Sequence, residues 1–114
     1  MWFRRKVITG TRIGHTMGHP TLNFHVGSFA RHFGPGAYSC QVRIDGEIYK
    51  GALYFGPKMT RKGMILEVFV LNFSRQIYGQ FVAIKVDKKI RGPKKFSSLE
   101  ELKKQIQLDL KSIV

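Results

Sequence analysis

Between Tyr38 and Ile44 the chain alternates, with Tyr38, Cys40, Val42 and Ile44 apolar and Ser39, Gln41 and Arg43 polar. A period of two places one set on a buried face and the other on a wet face of a β-strand. Asp45-Gly46 follows, a dipeptide that accepts the positive φ angles of a two-residue turn, and Glu47-Ile48-Tyr49 starts the return strand of a hairpin. Met64 to Phe73 is nearly all apolar and reads as a strand. Gln80 to Ile90 sets Val82, Ile84 and Val86 against Ala83, Lys85 and Asp87, and Tyr78-Gly79 marks the turn before it. Lys6 to Thr9 and Thr21 to Val26 are weaker strand candidates flanking a stretch that holds Gly10, Gly14 and Gly18. Five or more short strands punctuated by turns predict a mainly β chain, a barrel or a sandwich.

The period changes near the end of the chain. Leu99, Leu102, Ile106, Leu110 and Ile113 fall at steps of three and four, the spacing of one helix face. Ser98 stands three residues before Glu101, a capping-box pattern that starts the helix there. Its apolar stripe is expected to close an open face or mouth of the barrel. No repeat or low-complexity tract divides the sequence, so residues 1–114 read as one domain.

Composition narrows the classes. With 43% of its 114 residues hydrophobic, the chain can build one core and is too apolar for a disordered basic tail. No apolar run reaches the roughly 18 to 20 residues that cross a bilayer, which excludes a helical membrane span. Cys40 is the single cysteine, and no apolar segment of a signal peptide follows the basic residues near the N-terminus; a cytoplasmic location is expected. Twenty Lys plus Arg against seven Asp plus Glu leave a net charge of +13. Such an excess favours nucleic acid, phosphates or an acidic membrane surface, or is simply a solvated basic surface, and does not choose among them.

Two segments carry candidate chemistry. In Gly10-Thr11-Arg12-Ile13-Gly14-His15-Thr16-Met17-Gly18-His19-Pro20-Thr21-Leu22-Asn23 a glycine at every fourth position lets the backbone turn sharply and bring N–H groups toward an anion. The same glycines also suit a merely flexible loop, and neither the P-loop nor the dinucleotide fingerprint is present. Pro20 fixes the chain, and Thr21 and Asn23, two apart, aim their oxygens to one side, where with phosphate oxygens and waters they suit magnesium; otherwise they satisfy loop backbone. Glu67 lies inside the apolar run Met64-Ile65-Leu66-Glu67-Val68-Phe69-Val70-Leu71. There it is a salt-bridge partner, an outward residue, or a carboxylate whose burial raises its pKa toward that of a general base. His15 and His19 lack zinc-ligand spacing, and Cys40 sits on the buried face of its strand, so neither a zinc site nor a cysteine nucleophile is expected. Phe69, Phe73, Tyr78 and Phe81 are mostly core aromatics, one or two of which can stack on a flat ring.

In order, these pieces resemble the riboflavin kinase (flavokinase) family from about Val7 to the last helix. The hallmark Gly-aromatic-Pro-Thr-Ala-Asn is matched by Gly18-His19-Pro20-Thr21-Leu22-Asn23, and the later markers by Gly36-Ala37-Tyr38, Glu67-Val68-Phe69, Leu71-Asn72-Phe73, Tyr78-Gly79, and Arg91 followed by Lys94 and Phe96. The resemblance implies a six-stranded antiparallel Greek-key barrel with a C-terminal helix. It further implies transfer of the γ-phosphoryl of ATP to the 5′-hydroxyl of riboflavin, giving FMN and ADP. By family pattern Thr21 and Asn23 hold Mg2+, Glu67 is the base, and Gly10, Gly14 and Gly18, with His15 and Pro20, shape the phosphate loop. Arg91, Lys94 and Phe96 match positions that close over the flavin, and Asn72 and Tyr78 are further marker positions in the binding set.

The chain departs from the pattern at His15, where a basic residue is usual, at Asn72 for aspartate, at Tyr54-Phe55-Gly56-Pro57-Lys58-Met59-Thr60 for Asn-x-Gly and Pro-Thr, and at Pro93 for glutamate. ATP and CTP are both donors to test. The adenylyltransferase domain that often precedes this one in bacteria is not in the sequence, so FAD synthesis is not expected of this chain. A monomer is expected. The alternative is a non-catalytic basic β-barrel that binds RNA or flavin.

Overall fold

The computed structural model describes residues 1–8, 21–57, 63–94 and 98–113, apart from the side chains of 99, 102 and 103. Six strands, β1 Trp2–Lys6, β2 Thr21–Phe24, β3 Gly36–Ile44, β4 Glu47–Pro57, β5 Met64–Val70 and β6 Phe81–Arg91, pair antiparallel in the order β1-β6-β3-β4-β5-β2. β3, β4 and β5 form a meander and β6 returns beside β3, the Greek-key arrangement. The sheet curls until its two edges touch. The Ile8 N–H donates to the Asn23 carbonyl at 2.8 Å, a single bridge between the segment that follows β1 and strand β2. A short helix, α1 Phe29–His32, and the C-terminal helix, α2 Leu99–Ile113, complete the described elements. No described helix is long and apolar enough to cross a membrane.

The hairpin follows its alternation. Asp45 and Gly46 turn at φ 49 and 83, and Tyr38, Cys40, Val42 and Ile44 point into the core with Leu53, Phe55, Leu66, Val68, Val70, Val82 and Ile84. Fully burying side chains of this kind stabilises by about 1.5–3 kcal/mol each.

β5 stops at Val70, three residues short of the expected Phe73. Asn72 takes φ 59, a left-handed position that Asn tolerates, and this turns the chain so that Phe73 folds over the barrel end. There Phe73 meets Tyr49 edge-on at 5.2 Å, and Ile77 is buried beside the same core. Phe29 closes the opposite end, stacked on Phe33 at 4.7 Å and edge-on to Phe55 at 5.2 Å.

β1 begins at Trp2, ahead of the expected Lys6–Thr9 strand, whose last residue lies outside the described ones. Its core-side register is Phe3, Arg5 and Val7, and the cation in the middle broke the apolar pattern. Arg5 spans that gap: its guanidinium bonds Ser28 Oγ at 3.0 Å and lies 5.4 Å from the Phe3 ring centroid.

α2 starts as the sequence predicts, the Glu101 N–H donating to Ser98 Oγ at 3.2 Å. Ile106 and Leu110 pack on Ala52 and Phe69, with Leu71 and Ile113 at the margin. Ala52 and Phe69 pair across β4 and β5 on the face opposite Leu53 and Val68. The helix therefore covers the outer face of the sheet, and the barrel mouths are closed by the Phe29 and Phe73–Ile77 segments.

Candidate active site

The same outer face carries the polar residues that the sequence singles out. In β2, Leu22 and Phe24 face the core, so Thr21 and Asn23 face outward; in β5, Leu66 and Val68 face the core, and Glu67 faces outward. The ladders place Asn23 opposite Glu67, Glu67 opposite Tyr54, Tyr54 opposite Ala37, and Ala37 opposite Arg91. One transverse row thus crosses β2, β5, β4, β3 and β6, with neighbouring strands roughly 4.8 Å apart.

This row is dry. Thr21, Asn23 and Glu67 are 5%, 7% and 6% exposed, and with Asp109 they are the buried polar side chains among the described residues. Buried polar atoms normally find partners. Thr21 Oγ1 and Glu67 Oε2 have none among the described residues. Desolvation pushes the Glu67 carboxyl up to about 7, so near neutrality it both holds and releases a proton. It is neither a salt-bridge partner among the described residues nor a solvated outward group. The orphaned hydroxyl of Thr21 and the amide of Asn23 are hard, neutral oxygen donors of the type magnesium accepts when phosphates complete its shell.

At the other end of the row Arg91 is already engaged. Its Nε and Nη2 donate to the two carboxylate oxygens of Asp109 at 3.0 and 2.9 Å, and its Nη1 donates to the Gly92 carbonyl at 3.0 Å. Gln105 Nε2 adds a third donor to Asp109 at 3.0 Å. The Arg91 guanidinium carbon lies 5.7 Å from the Tyr54 ring centroid, within cation–π range, with small Ala37 on the strand between. The Tyr54 hydroxyl lies 3.4 Å from the Pro57 carbonyl and 3.3 Å from that of Lys94. Asp109 and Tyr54 are absent from the sequence-based set. The signal for Asp109 is the one that exposes Glu67: an acid against an apolar stripe, between Ile106 and Leu110.

Asn72 is exposed at the end of β5, and Tyr78 is half-buried against the core in a turn where the Gly79 N–H donates to the Val7 carbonyl at 2.8 Å. Neither belongs to the row. Lys94 is exposed, and Gly10, Gly14, His15, Gly18, Pro20 and Phe96 lie outside the described residues. Cys40 is buried, and burial, helped by Asp87, pushes its thiol up to about 12, which suits a core residue.

Fold and site together define a small Greek-key β-barrel whose outer wall sets a buried carboxylate beside hard neutral oxygens. Comparison with known proteins makes this specific: the flavokinase profile, described as riboflavin kinase, matches residues 1–114, and the chain belongs to that family. It is 38% identical over 112 residues to the bifunctional riboflavin kinase/FMN adenylyltransferase of Haemophilus influenzae, covering 94% of this chain and 35% of that protein. The chain spans about a third of the length of the curated relatives it matches first. A crystal structure of a macrolide-efflux protein from Streptococcus pneumoniae superposes with a TM-score of 0.82 at 28% identity, over 98% of this chain and 38% of that one. Riboflavin kinase from Trypanosoma brucei shares the fold, with a TM-score of 0.62 at 24% identity over 98% of this chain and 76% of that one. The non-catalytic alternative is not favoured by this family membership.

Proposed function

We propose that the chain is a riboflavin kinase that moves the γ-phosphoryl of ATP onto the 5′-hydroxyl of riboflavin, giving FMN and ADP. The observation that carries the reading is Glu67, a buried carboxylate with one oxygen unpartnered among the described residues and a proton affinity near neutrality, set directly opposite Asn23. Glu67 Oε2 accepts the hydroxyl proton as the ribityl oxygen bonds to the γ-phosphorus. The bond from that phosphorus to the bridging β–γ oxygen breaks, and ADP leaves with the electron pair. Phosphoryl transfer demands positioning and charge neutralisation more than covalent help from the protein. Thr21 Oγ1 and the Asn23 side-chain oxygen would hold Mg2+ against the nucleotide phosphates, supplying the neutralising charge. The dry wall keeps water from competing with riboflavin for the phosphoryl group.

Family pattern supports Gly10, Gly14, His15, Gly18 and Pro20 as the phosphate loop, and Arg91, Lys94 and Phe96 as the flavin side; residues 1–114 are proposed to act as one domain and as a monomer. A cytoplasmic location, where ATP is at hand, is proposed with it. The direct test is FMN formation by the purified chain from riboflavin, ATP and Mg2+, followed by chromatography of the flavins. FMN from the wild type and almost none from Glu67→Gln is the expected result. No FMN with ATP or CTP, and no difference between the two proteins, overturns the reading.

A further inference from the structure

Tyr54 stands where the family pattern carries an asparagine, and its surroundings are built around it. Its hydroxyl is within hydrogen-bond reach of two carbonyls far apart in sequence, Pro57 at the end of β4 and Lys94 just beyond β6. Its ring lies under Arg91, which Asp109 and α2 hold in a two-pronged pair. Gly56, two residues on and on the same face of β4, completes the cradle. A Cβ there would overlap the Tyr54 hydroxyl oxygen and the ring carbon bearing it, so a glycine is needed for the phenol to lie where it does. Tyr54 is also the β4 neighbour of Glu67.

We infer that Tyr54 is a positioning residue for the acceptor substrate: its phenol pins the backbone at Lys94 to the end of β4 beside Glu67, and the Asp109–Arg91 pair holds the phenol in place. The inference rests on the kinase reading for its substrate, riboflavin, and not for the clamp itself. A helix on the outer face thereby acts on the site through Asp109, Arg91 and Tyr54 in series, with none of the three taking a proton or a phosphoryl group. Arg91, whose three donating nitrogens are all used within the protein, serves as a strut. Aromatic, guanidinium and carboxylate together give a rigid wall, and rigidity at the wall lowers the ordering cost of binding.

Two measurements test the clamp. Steady-state kinetics of Tyr54→Phe, which keeps the ring and removes the hydroxyl, should show the riboflavin KM raised about three- to tenfold, the yield of one neutral hydrogen bond. The ATP KM and the pH midpoint set by Glu67 should stay put. Gly56→Ala should raise the same KM, and Asp109→Asn combined with Tyr54→Phe should give less than the product of the single effects, because the residues act in series. A merely structural tyrosine would lower thermal stability and leave KM alone. A riboflavin KM within twofold of wild type in Tyr54→Phe, or fully multiplicative effects in the double variant, overturns the inference.

The second measurement needs no turnover. Amide hydrogen exchange at Gly92 and Lys94 in the unliganded chain should accelerate about tenfold in both Tyr54→Phe and Gly56→Ala, and unchanged exchange overturns the clamp even if the wild type proves to be a kinase. Faster exchange in a chain that makes no FMN would leave the clamp standing and sink the kinase reading alone.

Discussion

Asn23 and Glu67 stand directly opposite each other in the β2–β5 ladder, both buried and both on the outer face of the barrel. Nothing polar sets that alignment. It is fixed by Leu22 and Phe24 from β2 and by Leu66 and Val68 from β5, which share the core on the other face. A one-residue slip would exchange the two faces, sending the amide and the acid into the core and the apolar set outward. The apolar register is therefore what assembles the site, and the desolvation that raises the Glu67 pKa comes with it.

Glu67→Gln tests the proposed base without disturbing the wall. Glutamine has the same shape and no charge to desolvate, so the fold is retained while proton acceptance is lost. The turnover number should fall on the order of 10²- to 10⁴-fold, the usual worth of a general base. Riboflavin binding, followed by quenching of flavin fluorescence, should change little. A variant that retains more than about a tenth of wild-type turnover would remove Glu67 from the chemistry.

The same carboxyl sets two pH dependences. As the proposed base it must be ionised in the free chain, so kcat/KM should rise about tenfold per pH unit up to a midpoint near the value of about 7 that burial gives it, then level off. Stability runs the other way. The folded pKa of about 7 lies above the ordinary 4.5, so between those values the folded chain holds a proton that the unfolded chain has released. Unfolding free energy should therefore fall as pH rises from about 4.5 to about 7 and flatten above it. Glu67→Gln should lack this slope in parallel thermal melts, and an identical slope in both proteins would show that the acid is not desolvated.

How much of this was legible in the chain depended on whether a residue's partner was close in sequence. The β3–β4 hairpin needed only alternation and Asp45-Gly46, and Glu67 announced itself as an acid in an apolar run. β1 was obscured because Arg5 occupies a core-side position and is accommodated by Phe3 and Ser28, one of which is 23 residues distant. The face that α2 covers could not be read from its stripe, because Phe69 looks like any core aromatic until β5 is known to bury both faces. Asp109 and Tyr54 make their defining contacts 18 and 40 residues away, with Arg91 and Lys94, which no local period reports.

Thr21→Val isolates the proposed metal contact. Valine matches threonine in shape, and the hydroxyl it removes is buried without a partner among the described residues. Losing an unsatisfied hydroxyl should leave the unliganded chain as stable as wild type, or up to about 1–3 kcal/mol more stable. The Mg2+ concentration for half-maximal FMN formation should rise about tenfold or more, and chelation of Mg2+ should stop turnover in both proteins. An unchanged Mg2+ requirement would take Thr21 out of the metal shell.

The Asp109–Arg91 pair gives the last prediction, which separates stability from function. Asp109 is nearly buried and Arg91 is about one-fifth exposed, so removing one partner strands a charge that solvent only partly screens. Asp109→Ala should cost about 2–4 kcal/mol in denaturant unfolding, below the upper end for fully buried pairs because Arg91 still reaches water. Replacing both charges, as Arg91→Met with Asp109→Leu, should restore most of that loss, since well-packed apolar groups often match a buried ion pair in stability. The restored fold would still lack the guanidinium above Tyr54, so its riboflavin KM should remain raised while its melting temperature recovers. Recovery of both together would mean that the pair does no more than hold α2 against the sheet.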